Sequence, residues 1–296
     1  MTIFEWTKRT SSLPYLERRR EIQRFVRPAQ SRFLYKYRAI DPESDLSIER
    51  LRSIVVGGEL WFSSPLDFND PFDMSMSIVL GGSAKDKRRR YDAILKENGV
   101  PFKKRQEMVG RLARTPTQDI ERLLRDSHTK QLGTTGVFSF AGDPRNILMW
   151  SHYAQDHSGV CLQFERARDY QFLSAALLVR YSPDFPVVDW TSDFQESLSE
   201  VLLRKFDGWA YEKEERIIRL GEANSIQRVQ PEALTAIIMG CRISSASEKV
   251  ISNLMAERLS AGYPLVRIYR AREELANYAL RLELVDDSQQ VTATDS

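Results

Sequence analysis

A chain of 296 residues, 42% hydrophobic and 28% charged with a net charge of +2, can bury a substantial core and has the make-up of a globular protein. No run approaches the ~18 apolar residues that cross a bilayer, and the basic start is followed by no apolar segment, so neither a membrane span nor a secretory signal is expected. Cys161 and Cys241 sit singly in apolar stretches without metal-ligand spacing, which reads as two reduced thiols, a cytoplasmic location and no metal.

In chain order, residues 1–32 form a basic arm of local charge +5, with a helix expected from Pro14 to Val26. The body begins at Phe33-Leu-Tyr-Lys-Tyr-Arg38, an alternating strand whose aromatic residues suit a sheet. Leu46 to Val56 places Ile48, Leu51, Ile54 and Val55 on one helical stripe, ended by Gly57 and Gly58. Leu60 to Ser64 reads as a second strand, stopped by Pro65 and the Asn69-Asp70-Pro71 turn. Residues 84–130 predict two or three polar helices in an insertion lobe, and residues 83–130 carry a local +7 that leaves −10 on the remainder of the chain. The arm and this lobe can attract nucleic acid or an acidic partner.

Apolar strands return at Gly136–Phe140, Gly159–Phe164 and Ala176–Tyr181, with a helix at about Arg145 to Gln155 between the first two. A helix near Asp193–Phe206 is expected next, then strands at Glu214–Leu220 and Ala236–Met239. A helix at Ala246–Ser260 and strands at Leu265–Tyr269 and Tyr278–Leu284 complete the body. Residues 286–296, rich in Ser, Thr, Gln and Asp, predict a disordered tail. Strands and helices interleave without repeating βαβ units. The expected fold is therefore a single α+β domain over 33–285, with a mixed, largely antiparallel sheet, flanking helices and the helical lobe.

Three stretches carry candidate chemistry. Two of the three histidines fall in Leu148-Met-Trp-Ser-His-Tyr-Ala-Gln-Asp-His157, so His152, Trp150 and Tyr153 are candidate site residues. His152 and His157 lie about 140° apart on a continuous helix, a poor geometry for sharing one metal. A turn from Asp156 to Gly159 would fold His157 back. In Trp209-Ala-Tyr-Glu-Lys-Glu-Glu-Arg216, a strand would set Glu212, Glu214 and Arg216 on one face. Burying two carboxylates beside one Arg is costly unless hydrogen bonds or a ligand compensate, which makes them functional candidates. The third stretch is Tyr35, Lys36, Tyr37 and Arg38, followed by Ser63, Asn69 and Asp70, where Lys and Arg on a strand can grip phosphates. Walker, GxGxxG, HExxH, CxxC and GxSxG patterns are all missing from the sequence, which argues against several common enzyme classes.

Together these stretches resemble a bacterial family known as domain of unknown function 2971. The resemblance rests on Leu34-Tyr-Lys-Tyr-Arg38, Leu60-Trp-Phe-Ser-Ser-Pro-Leu-Asp-Phe-Asn-Asp-Pro-Phe72, Phe138-Ser-Phe140 and Met149-Trp-Ser-His-Tyr-Ala154. It continues through His157-Ser-Gly-Val-Cys161, Trp209 to Arg216 and Ile237-Ile-Met-Gly240. A further resemblance, to ADP-ribosyltransferase-like folds, lies in the order of parts: a basic aromatic first strand, a serine-bearing strand (Ser63, Ser64 or Ser139) and a late Glu212-Lys-Glu214. That resemblance implies NAD as co-substrate and Glu214 as catalytic carboxylate, with Glu212 assisting. It further implies Arg38 on phosphate, Tyr153 or Tyr37 stacking, and a toxin or anti-phage defence setting. Two alternatives stand beside it. One is a metal-dependent nuclease or phosphoesterase using Asp70, Asp73, Glu212 and Glu214. The other is a non-catalytic module that binds nucleotides or nucleic acid.

Overall fold

The computed structural model describes residues 31–190 and 200–285. The helix expected at Pro14–Val26, the tail, and the first part of the helix expected at Asp193–Phe206 lie outside the described residues. The chain opens with β1 (Phe33–Arg38), α1 (Asp45–Val55), β2 (Glu59–Phe62) and β3 (Ser77–Val79). Three helices follow, α2 (Ala84–Glu97), α3 (Phe102–Leu112) and α4 (Thr117–Thr134), and then β4 (Gly136–Phe140) and α5 (Ile147–Tyr153). Next come β5 (Val160–Glu165), α6 (Tyr170–Leu173), β6 (Leu177–Leu178), β7 (Arg180–Ser182), β8 (Val187–Asp189) and β9 (Arg204–Phe206). The last elements are β10 (Glu215–Arg219), β11 (Ser225–Arg228), β12 (Leu234–Met239), α7 (Ser245–Ser260), β13 (Arg267–Glu273) and β14 (Leu280–Leu284).

The fold is α+β, as the sequence predicts. A central sheet has the order β1-β5-β12-β13-β14, antiparallel except for the parallel β12–β13 pair. Its strands alternate between two apolar layers. Leu34, Val160, Leu162, Phe164, Ile237 and Met239 face a core shared with Leu51, Ile54 and Val55 of α1 and Ile251, Leu254 and Met255 of α7. Tyr35, Tyr37, Cys161 and Ile238 face the other way, against Met149 and Trp150 of α5. Burial on both faces explains why β5 and β12 read as near-continuous apolar runs. Side-chain oxygens start two of the helices that flank the sheet: Ser44 accepts from the Ser47 amide before α1, and Asn146 from Leu148 and Met149 before α5. The three helices α2–α4 have a small core of their own, where Tyr91 meets Trp190 with ring centroids 5.2 Å apart.

A second sheet, β4-β10-β6, stands beside the first. The two touch where Tyr35 and Ala141 exchange backbone hydrogen bonds of 3.0 and 2.7 Å. Further along the same edge, β4 is tied to the end of β2 by Ser63 and Val137. Beyond Tyr35 the strands β1 and β4 part, and the opening between them positions the site. Where a helix was expected to reach Phe206, residues 204–206 instead form strand β9, parallel to β7. The strand expected over Ala176–Tyr181 is divided into β6 and β7: up to Val179, whose amide donates to the Glu214 carbonyl, it follows β10, and from Arg180, whose amide donates to the Leu203 carbonyl, it follows β9.

Candidate functional site

The opening between β1 and β4 is a cavity of about 440 Å³, walled by Tyr35, Lys36, Tyr37 and Arg38 on one side and Phe138 to Ala141 on another. Trp61, Ser63, Asn69, Asp73, His152, Tyr153, Lys205, Glu212 and Glu214 are among the other residues that line it. Three stretches far apart in sequence therefore meet in one place. Lys36 Nζ spans the gap, donating to the Ser139 carbonyl at 2.8 Å above the Phe138 ring.

The expected strand face of Glu212, Glu214 and Arg216 is replaced by a different arrangement. Glu212 ends a 3₁₀ turn, Lys213 is left-handed at φ 48°, and the strand starts only at Glu215. Glu214 and Arg216 still share one side, and the Arg216 guanidinium takes both carboxylate oxygens of Glu214 at 2.7 and 3.0 Å. Arg216 also donates to Asp73 at 2.6 Å and to the Leu202 carbonyl at 3.1 Å. Lys205 completes the cluster, 2.7 Å from Glu212, 3.2 Å from Glu214 and 3.7 Å from Asp73. On the opposite side of β10, Glu215 pairs with buried Arg166 at 2.5 Å and accepts from the Ser31 hydroxyl.

The two carboxylates of the Glu-x-Glu pair have diverged. Burial pushes Glu214 toward the neutral acid, but Arg216 and Lys205 outweigh it and hold the carboxyl well below the usual range. Glu212 is raised, first by burial and then by Glu214, with Lys205 and the Tyr153 hydroxyl only partly offsetting them. Its oxygens face Tyr153 at 2.8 Å and Lys205. Burial pulls Lys205 down, yet Glu214, Glu212 and Asp73 together raise it, so it stays an ammonium. Lys36 behaves oppositely: burial, reinforced by Arg38, lowers it to about 7.

The Lys36 shift has a consequence for stability. A lysine whose folded pKa lies below its unfolded value costs stability when the pH is low enough to protonate it in the folded cavity. That cost fades as the pH rises from about 7 towards the ordinary 10.5. Lys36→Met is therefore expected to remove a rise in melting temperature across pH 7–10 that the parent protein shows. Parallel slopes for the two proteins in thermal melts would refute the assignment.

Other expected residues sit elsewhere. Trp150 does not line the cavity: it is fully buried, its indole N–H donates to the Pro144 carbonyl, and Tyr37 meets it edge-on at 5.2 Å. Arg216 also stays below the cavity wall, acting through Glu214. Asp70 turns away to accept from the Trp209 indole at 2.8 Å, lining a neighbouring groove. His152 is exposed on the rim with Nδ1 3.0 Å from the Tyr211 hydroxyl. His157 folds back through three consecutive left-handed residues, 155–157, and stacks on Trp150. The sequence reading missed Lys205, the hub of the carboxylate cluster. Strand alternation in Arg204-Lys205-Phe206, with the lysine inward, is the signal that a helical reading of that stretch hides.

Residues 149–217 match the family described as protein of unknown function, DUF2971. Over that segment the chain is similar to the DUF2971 family. The matched segment runs from α5 to β10 and contains Tyr153, Lys205, Glu212, Glu214 and Arg216, so it includes the two glutamates of the cavity but not Asp73. No curated protein and no solved structure matches the chain. No helix among the described residues is long and apolar enough to cross a membrane.

Proposed function

We propose that the cleft between β1 and β4 binds a nucleotide and that the protein is an NAD-utilising, ADP-ribosyltransferase-like enzyme or NAD glycohydrolase. One observation carries this reading. A buried carboxylate, Glu212, is held by Tyr153 and Lys205 inside a cleft whose facing strand presents Tyr35, Tyr37, Lys36 and Arg38. Cleaving the bond between nicotinamide and ribose builds positive charge on the sugar as nicotinamide leaves with the bonding electrons. A fixed carboxylate beside that carbon stabilises the charge, and water or an acceptor hydroxyl then bonds to it and gives up its proton.

In this proposal Glu212, rather than Glu214, meets the ribose. Both Glu214 oxygens are engaged by Arg216, so Glu214 acts as a positioning residue that holds Lys205 and, through it, Glu212. The half-buried ring of Tyr153 offers a face for the nicotinamide or base, whereas the rings of Tyr35 and Tyr37 are taken up by the apolar layer against Met149 and Trp150. Arg38 meets the phosphates. A toxin or anti-phage defence role is consistent with such chemistry and belongs to the same proposal, as does attraction of a nucleic-acid or acidic partner to the basic lobe.

The nuclease alternative needs carboxylates free to hold a cation. Asp73, Glu212 and Glu214 are instead directed at Lys205 and Arg216, and Asp70 at Trp209, which favours the transferase reading. Incubation of the protein with NAD⁺ and a cell lysate is expected to release nicotinamide in proportion to enzyme. NAD⁺ that stays intact over a range of lysates would overturn the reading.

A further inference from the structure

The cleft does not end at Arg38. A second hollow of about 430 Å³ continues from it, lined by Arg50 and Ser53 of α1, Glu59 and Trp61 of β2, and Ile226 of β11. Arg38, Trp61 and Ser63 line both hollows and form the wall between them. Arg38 and Arg50 bring like charges together here, and burial with the nearby Arg50 makes the Arg38 guanidinium give up its proton more readily than usual. The Arg38 Nε is shielded from solvent and has no hydrogen-bond partner. The Glu59 carboxylate in this hollow is engaged by Arg228 at 2.9 Å. Among the described residues, no ion pair joins a carboxylate to Arg38 or Arg50. Two convergent guanidiniums, one of them desolvated, are unfavourable alone and favourable around a doubly charged ligand. Trp61, 47% exposed, presents an aromatic surface at the same place.

We propose that this hollow is a second subsite that takes the diphosphate of a nucleoside diphosphate, with Arg38 and Arg50 on the phosphate oxygens and Trp61 against the base. It rests on the nucleotide reading of the cleft and extends it. A ligand spanning both hollows has a diphosphate at Arg38 and Arg50 and its reacting sugar near Glu212. Arg50 comes from a helix outside the matched segment and is exposed, so its replacement leaves the fold intact.

The test is calorimetric titration of the full chain with ADP and, separately, with inorganic pyrophosphate. Wild type is expected to bind both, and Arg50→Glu to weaken both by about tenfold or more with an unchanged melting temperature. Trp61→Ala is expected to weaken ADP while sparing pyrophosphate. No binding of ADP by wild type, or equal ADP affinity in wild type and Arg50→Glu, overturns the subsite. A single-stranded oligonucleotide that displaces ADP and binds more tightly also overturns it, in favour of a nucleic-acid groove. The two proposals fail separately. Arg50-dependent ADP binding without NAD⁺ turnover keeps the subsite and discards the transferase. NAD⁺ turnover with the same KM in Arg50→Glu does the reverse.

Discussion

Replacing Arg216 by methionine is expected to cost about 3–5 kcal/mol of folding stability, the range found when one partner of a buried ion cluster is removed. Arg216 is wholly buried and donates to Glu214, Asp73 Oδ2 and the Leu202 carbonyl at once. Without it, Lys205 alone faces three carboxylates, and the Glu214 carboxyl loses the neighbour that contributes most to keeping it ionised. The loss is present above the ordinary carboxylate range, where Glu214 is charged in both states. It shrinks as the pH falls and Glu214 takes up a proton in the variant. Arg216→Lys restores the charge but not the two-pronged contact, so it is expected to recover only part of the loss. Urea denaturation at neutral pH measures these differences. A methionine variant within about 1 kcal/mol of the parent would mean that the cluster contributes little to the fold.

Trp150→Ala is expected to be comparably costly, about 3–5 kcal/mol, because it empties a large, fully buried site. Tyr37 and His157 pack on that ring, and Ala154 and Cys161 share its apolar layer. Trp150→Phe keeps much of the packing and loses the indole bond to the Pro144 carbonyl, a net hydrogen-bond contribution of about 1 kcal/mol plus a smaller ring. Because Trp150 lies behind the cavity wall, Trp150→Phe is expected to retain nucleotide binding once its concentration of folded protein is matched. Loss of binding in a folded Trp150→Phe protein would return Trp150 to the ligand wall.

The legibility of this fold in its sequence depended on how local each signal was. Strand β4 was readable to the residue, since Gly136 opens it and a glycine turn follows Phe140. Helix α7 was readable to within a residue; Ser244 caps its start by accepting from the Ser247 amide, and its buried face sets Ile251, Leu254 and Met255 beside Ser247 and Arg258. The α+β class followed from the same local periods. The Glu212–Arg216 stretch was misjudged because one left-handed residue, Lys213, breaks the alternation that would align Glu212 with Glu214. Nothing in composition announces that break. Trp150 and Tyr153 are three apart on one helix, so spacing gives them the same side. Only the position of α5 against the sheet edge decides that one ring is core and the other wall. Arg166 with Glu215, and Asp73 with Arg216, join residues distant in sequence and have no local signature at all. The cavity itself was legible as a set of polar stretches, because buried charge is rare and its presence in otherwise apolar strands stands out.

The most direct test of the cleft as an NAD-cleaving site compares nicotinamide release by wild type and by Glu212→Gln, with both proteins checked by thermal melt. The change removes the charge of Glu212 while keeping its shape and its contact with Tyr153. It also relieves the burial that raises Glu212, so the fold is expected to hold. Nicotinamide release is predicted to fall about 10²–10³-fold, the loss typical of one removed group that stabilises transition-state charge. Equal release by the two folded proteins would contradict Glu212 as the group that meets the developing charge, and with it the reading of this cleft as the place where NAD⁺ is cleaved.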